Sequence, residues 1–150
     1  MTIRPAIAAD RECILNLAER LIAFGDVPGR DRTAMIARDR AVLAAALTGG
    51  GSVIFVAVDN GGRPIGFIHL TTADDYYDAR ATAHVADVVV AEESAGRGVG
   101  SALMERAEHW AREQGFSMLT LNVFTANRRA RAFYAKLGFG EEWIRCLKRL

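Results

Sequence analysis

Residues 88 to 103 read Val88-Val89-Val90-Ala91-Glu92-Glu93-Ser94-Ala95-Gly96-Arg97-Gly98-Val99-Gly100-Ser101-Ala102-Leu103, an apolar run that passes through a glycine-rich turn into a helical pattern. Such a turn presents successive backbone N–H groups at a helix amino terminus, where unpaired donors and the helix dipole favour a phosphate or pyrophosphate. The glycines let the backbone approach the anion closely. Glycine-rich strand-to-helix turns also serve packing alone, so anion binding is one of two readings of this segment. Two nucleotide motifs are excluded. A P-loop needs a lysine in the turn and none is present; the dinucleotide fingerprint G-x-G-x-x-G is broken by Ser101 and sits late in the chain instead of in an opening βαβ unit.

The elements that must position this turn follow from periodicity and punctuation. A short β segment at Thr2–Pro5 precedes a helix capped by Asp10, with Ile14, Leu17, Leu21 and Ile22 at helical spacing, ending near Gly25. A second helix is expected over Arg32–Leu47 and stops at the triple glycine 49–51. Ser52–Val58 and Pro64–Leu70, joined through Asn60-Gly61-Gly62, read as a hairpin. The polar stretch Thr71–Thr82 suits an exposed loop before a third strand, Ala83–Ala91. A helix over Gly98–Gln114, a strand over Phe116–Phe124, a helix capped by Asn127 and a closing strand over Phe139–Leu150 complete the pattern. The fold expected is mixed α/β, in which only the strand–helix–strand unit from Ala83 to Phe124 demands a parallel pair.

The 150 residues suit one domain spanning 1–150, and 51% hydrophobic against 25% charged residues allows a sizeable core. Nineteen basic and eighteen acidic residues give a net charge of +1, without the broad cationic field of nonspecific nucleic-acid binders. Cys13, Cys146 and the histidines at 69, 84 and 109 match no metal-ligand spacing. No apolar run approaches the roughly 20 residues of a membrane span, and Met1–Pro5 begins no secretory signal, so neither nucleic acid, metal nor membrane is expected and the compartment expected is the cytoplasm.

The segment from Asp87 to Gly140 resembles the GNAT superfamily of acyl-CoA-dependent N-acetyltransferases. In that family a strand leads into [QR]-x-x-G-x-[GA], matched by Ala95 to Gly100, then a helix and a strand, then N-x-x-A-x-x-F-Y-x-x-x-G-F, matched by Asn127, Ala130, Phe133, Tyr134, Gly138 and Phe139. Ala95 departs from the usual Gln or Arg, which implies perturbed affinity with Arg97 or Arg128 supplying charge. The resemblance implies a central, mostly antiparallel sheet flanked by helices, with a bulged strand splayed from its parallel neighbour to open a slot for coenzyme A. Backbone amides of Gly96, Arg97, Gly98, Val99, Gly100 and Ser101 would cradle the pyrophosphate, and Val88, Val89 and Val90 would pair with the pantetheine arm. Asn127 would hydrogen-bond the cosubstrate and Phe133 would pack beside it.

The resemblance further implies acetyl transfer from acetyl-CoA to a primary amine. Tyr134 would be the acid for the departing thiolate, and a backbone N–H in Val88–Val90 the oxyanion donor. Helical periodicity alone reads Tyr134 as a core aromatic. Two residues compete as base. His84 titrates near neutral pH and matches a catalytic carboxylate in some relatives, while Asp87 matches an acidic position in others. In a regular strand His84 shares a face with Ala86, Val88 and Val90, and Asp87 points the other way; a bulge would change that. Ordinary strand residues, or a water chain, are the alternatives. Asp74, Asp75, Tyr76, Tyr77 and Asp78 read either as an acidic, aromatic acceptor loop or as a solvated connection. The acceptor class is a small-molecule or peptide amine, and a homodimer is compatible with the resemblance. A catalytically weak CoA-binding sensor with the same fold is the alternative function.

Overall fold

The computed structural model of the chain describes residues 1–77 and 80–150. Five strands, β1 (Thr2–Pro5), β2 (Val53–Val58), β3 (Pro64–Asp74), β4 (Ala81–Val90) and β5 (Leu119–Leu121), form one sheet in chain order. The first three pairings are antiparallel and β4–β5 is parallel, the mixed sheet expected from the sequence. The single parallel pair follows from α3 (Val99–Glu113), which carries the chain back from the end of β4 to the start of β5.

The helices cover both faces. On one side α3 buries Val99, Leu103, Met104 and Ala107 against Phe55, Ile68, Leu70 and Val85. On the other, α1 (Arg11–Leu17) and α2 (Arg32–Ala46) bury Ile14 and Leu43 against Ile54, Val56, Phe67 and Val89. Alternation along β3 therefore separates Ile68 and Leu70 from Phe67, and it assigns His69 to the α1–α2 face. Asp10 is buried at the start of α1, where Arg4 grips both carboxylate oxygens at 2.6 and 2.9 Å, so the charge is paired where it is desolvated. Among the described residues no helix is long and apolar enough to cross a membrane.

Several boundaries differ from the sequence expectations. The first helix leaves α-geometry after Leu17 and finishes as a 3-10 turn over Ala18–Ile22. β3 continues to Asp74 and β4 begins at Ala81, so half of the expected loop, residues 71–74 and 81–82, is paired strand. The fifth strand shrinks to three residues. Phe139–Leu150 forms no strand: Trp143-Ile144 and Cys146-Leu147 are adjacent apolar pairs without two-residue alternation, and residues 140–150 are exposed. The last helix, α4 (Arg128–Lys136), starts where Asn127 Oδ1 accepts from Ala130 N at 3.1 Å.

Candidate active site

β4 changes character at Ala86. His69 faces Asp87 across the β3–β4 ladder and Leu70 faces Val85, so Ala86 has no partner and is the extra residue of a bulge. The bulge reverses the side-chain alternation expected of a regular strand. Val85 lies on the α3 face and Val89 on the α1–α2 face, and Asp87 bonds to His69 on that second face. His84, between Ala83 and Val85, therefore shares a face with Asp87.

The bulge also separates two kinds of backbone. Ala91 donates to Ile65 O at 2.9 Å, which fixes the alternation: Val89 and Asp87 direct their N–H and C=O toward β3, and Val88 and Val90 direct theirs away from it. On that far side β5 pairs only with Ala83, His84 and Val85. Beyond Val85 the side is open. Arg20 Nε takes Val90 O at 3.0 Å while its Nη1 bonds Glu92, leaving the Val88 N–H and C=O and the Val90 N–H facing the gap. Val89 offers this gap no backbone group.

The glycine turn lies in line with the gap. Gly96 and Gly98 have φ of +77° and +80°, values that L residues rarely adopt, and Gly98 is the N-cap of α3 with no side-chain cap. The first helical turn leaves the N–H groups of Val99, Gly100 and Ser101 without intrahelical acceptors, since the ladder starts with Ala102 N to Gly98 O. A Cβ on Gly96 or Gly98 would enter open space, whereas one on Gly100 would come within 3.3 Å of the Phe133 ring. These donors and this opening fit a pyrophosphate whose arm continues along β4. Ala95 is half-buried, and Arg97 and Arg128 are exposed nearby in sequence at the starts of α3 and α4. The Asn127 side-chain carbonyl caps α4, which leaves its amide hydrogens to donate outward.

Asp87 is the charge that its neighbours feel. Burial lowers the pKa of the His84 imidazole, a shift opposed by Asp87 and reinforced by His69. Burial raises that of the Tyr134 phenol, and Asp87 adds to the rise. The half-buried Asp39 carboxyl on α2 is pushed up by desolvation and then by Asp87. His84 Nδ1 lies 2.8 Å from Thr120 Oγ1, whose hydroxyl donates to Ala83 O at 3.3 Å. Thr120 therefore accepts from Nδ1–H, and Nε2 of the neutral ring carries the lone pair. Tyr134 packs between Phe133 and Phe139 at ring separations of 5.3 and 5.9 Å. Among the described residues the one buried side-chain polar atom without a partner is His69 Nε2, so the Tyr134 hydroxyl and His84 Nε2, which bond to nothing, open to solvent.

The acidic aromatic segment lies elsewhere. Asp74 pairs with Ala81 at the tip of the β3–β4 hairpin, five residues along β3 from His69, which places it about 17 Å from the Asp87 pairing. Asp75 accepts from Tyr77 N, both tyrosines are about 80% exposed, and Tyr77 contacts Trp143; Asp78 lies outside the described residues. His69, Asp39 and Thr120 were not singled out by spacing or motif. Their only sequence trace is a polar residue inside an otherwise apolar run for His69, and the register that makes it matter depends on the bulge.

A family model described as the acetyltransferase (GNAT) family matches residues 21–139. An uncharacterized N-acetyltransferase of Methanocaldococcus jannaschii, MJ1207, is 30% identical over 102 residues, which is 64% of this chain and 45% of that protein. The chain thus spans less than half the length of MJ1207. An uncharacterized N-acetyltransferase of Bacillus subtilis, YhfO, is 29% identical over 146 residues, 95% of this chain and 91% of its own. The structure of a candidate acetyl transferase from Pyrococcus furiosus superposes with a TM-score of 0.82 at 25% identity, covering 99% of each chain.

Proposed function

The chain belongs to the acetyltransferase (GNAT) family, and from that premise we propose that it transfers an acetyl group from acetyl-CoA to a primary amine by direct attack in a ternary complex. The observation that carries this reading is the open side of β4 beyond Val85, with the Val88 and Val90 backbone groups facing it, leading to the uncapped glycine turn at α3. Acetyl-CoA, as cosubstrate, supplies a thioester carbonyl and a thiolate leaving group. Val88 C=O and Val90 N–H hold the arm as an added strand would, and Val88 N–H, next to the bulge, donates to the carbonyl oxygen as charge grows there. Gly96 and the amides from Gly98 to Ser101 take the pyrophosphate, since Arg97 N–H bonds Ser94 O at 3.4 Å, and the Arg97 and Arg128 side chains supply charge in place of the side chain missing at Ala95.

His84 Nε2 accepts the proton that the amine loses as its nitrogen bonds to the carbonyl carbon. Thr120 fixes the tautomer that leaves this nitrogen free, and burial keeps the ring neutral near pH 7. Asp87, on the same face, attracts the cationic form of the amine, which releases one proton to solvent to become the neutral nucleophile, and stabilises the imidazolium. Tyr134 returns a proton to the sulfur as the C–S bond breaks, and its raised pKa keeps the acid form available. The acceptor is a small-molecule or peptide amine. The test is a panel of such amines incubated with acetyl-CoA, following free thiol and acetylated product by mass spectrometry. Stoichiometric product supports the reading; thiol release without any acetylated amine, or neither, overturns it.

A further inference from the structure

Asp87 is itself held by a buried side chain. His69 is 2% exposed and sits opposite Asp87 in the ladder, with Nδ1 2.8 Å from Asp87 Oδ2. An ionised carboxylate only accepts, so Nδ1 carries the hydrogen. The other carboxylate oxygen has no partner and is not sealed, because His69 Nε2 is the one unpartnered buried polar atom among the described residues. That Nε2 matters for the role. A ring that relays a proton needs an acceptor or donor at its second nitrogen, and none faces this one, so His69 is a dead end for proton transfer. A core built only for stability would also be expected to hold an apolar residue here, as at Ile68 and Leu70 on either side, because an orphaned buried nitrogen is desolvated without return.

We propose that His69 is a positioning residue of the amine-acetylation site: its buried Nδ1–H fixes the Asp87 carboxylate at the Ala86 bulge and turns the free oxygen toward the acceptor amine. The groups that share this field are His84 on β4, Tyr134 on α4, and Asp39 on α2 with Arg38 beside it. His69 touches no reacting atom and acts through Asp87. This inference rests on the amine-acetylation reading above.

Three variants separate positioning from packing. His69→Leu removes the donor and keeps an apolar side chain. His69→Asn places an amide N–H where Nδ1 stood and has no counterpart of Nε2. His69→Gln reaches the Nε2 position and leaves Nδ1 empty, so it replaces His69→Leu should that variant not fold. The expected result for the Leu or Gln variant is a loss of kcat/KM for the amine of about 10²-fold, the cost of misplacing a group by about 1 Å, with the dissociation constant of acetyl-CoA unchanged. His69→Asn should recover most of that loss. An Asn variant no better than Leu or Gln, or a Leu variant as active as the parent, overturns the proposal. Nitrogen-15 NMR of the ring in the free protein supplies an arm that needs no turnover: the Nδ1–H tautomer is expected, and the Nε2–H tautomer overturns the assignment even if no amine is ever acetylated. Absence of acetylated product from the parent protein with an intact Nδ1–H signal would instead count against the amine-acetylation reading.

Discussion

The two halves of β4 serve the site through different atoms. From Val88 to Val90 the strand offers backbone N–H and C=O groups on an open side, and the turn beyond continues with backbone N–H groups at Gly98–Ser101. From Ala83 to Val85 the backbone is paired on both sides by β3 and β5, and from there to Asp87 the strand offers side chains held from both neighbours, His84 by Thr120 and Asp87 by His69. The one-residue bulge at Ala86 divides the two regimes. A surface made of backbone recognises a ligand by geometry that tolerates most side-chain changes except at glycine. A surface made of side chains depends on individual residues, and single substitutions there should alter turnover without altering cosubstrate affinity.

Substitutions in the two halves should therefore break different properties. The largest effect is expected for Gly98→Val, which should lose measurable acetyl-CoA binding by calorimetry. The left-handed conformation costs a branched residue about 1–2 kcal/mol, small enough against a typical stability of about 5–15 kcal/mol for the variant to stay folded. Full binding by this variant would remove the glycine turn from the account. Tyr134→Phe should lower kcat by about 10²-fold while the acetyl-CoA dissociation constant stays within about twofold, since ring packing is kept. His84→Ala should lower kcat by about 10²-fold, the lower end for loss of a general base. Burial depresses the folded-state pKa of His84, so the parent's kcat should fall only as pH drops below about 6.5, and that limb should vanish in the Ala variant. Asp74→Asn with Asp75→Asn should change kcat/KM by less than about twofold at 0.1 M salt, because the hairpin tip stands farther from Asp87 than the roughly 10 Å Debye length. A tenfold loss for a cationic amine would instead make the tip part of the acceptor site.

The same division explains what could be read in the sequence. The turn at Gly96–Gly100 and the Asn127-to-Phe139 motif were legible because backbone sites are marked by glycine and by fixed local spacing. The β2–β3 hairpin and the lone parallel pair are legible from the alternation of β and helical periods. The pairing of His84 and Asp87 on one face was not, since a regular strand separates them and the residue that bulges, Ala86, carries no mark of its own. His69 was hidden for a related reason: its partner lies 18 residues away across a register shift. The strand expected over Phe139–Leu150 does not form, because its apolar residues fall in adjacent pairs without the two-residue alternation that pairing requires.

The division of β4 is tested most directly by titrating acetyl-CoA into nitrogen-15-labelled protein and following the backbone amides. The expected result is a saturable shift of Val88, Val90, Gly96 and the amides from Gly98 to Ser101, with the turn of the β2–β3 hairpin at Asp59 and Gly61 unmoved. Saturation with shifts confined to that hairpin, or no shift at Val88, Val90 and Gly98, would contradict the account.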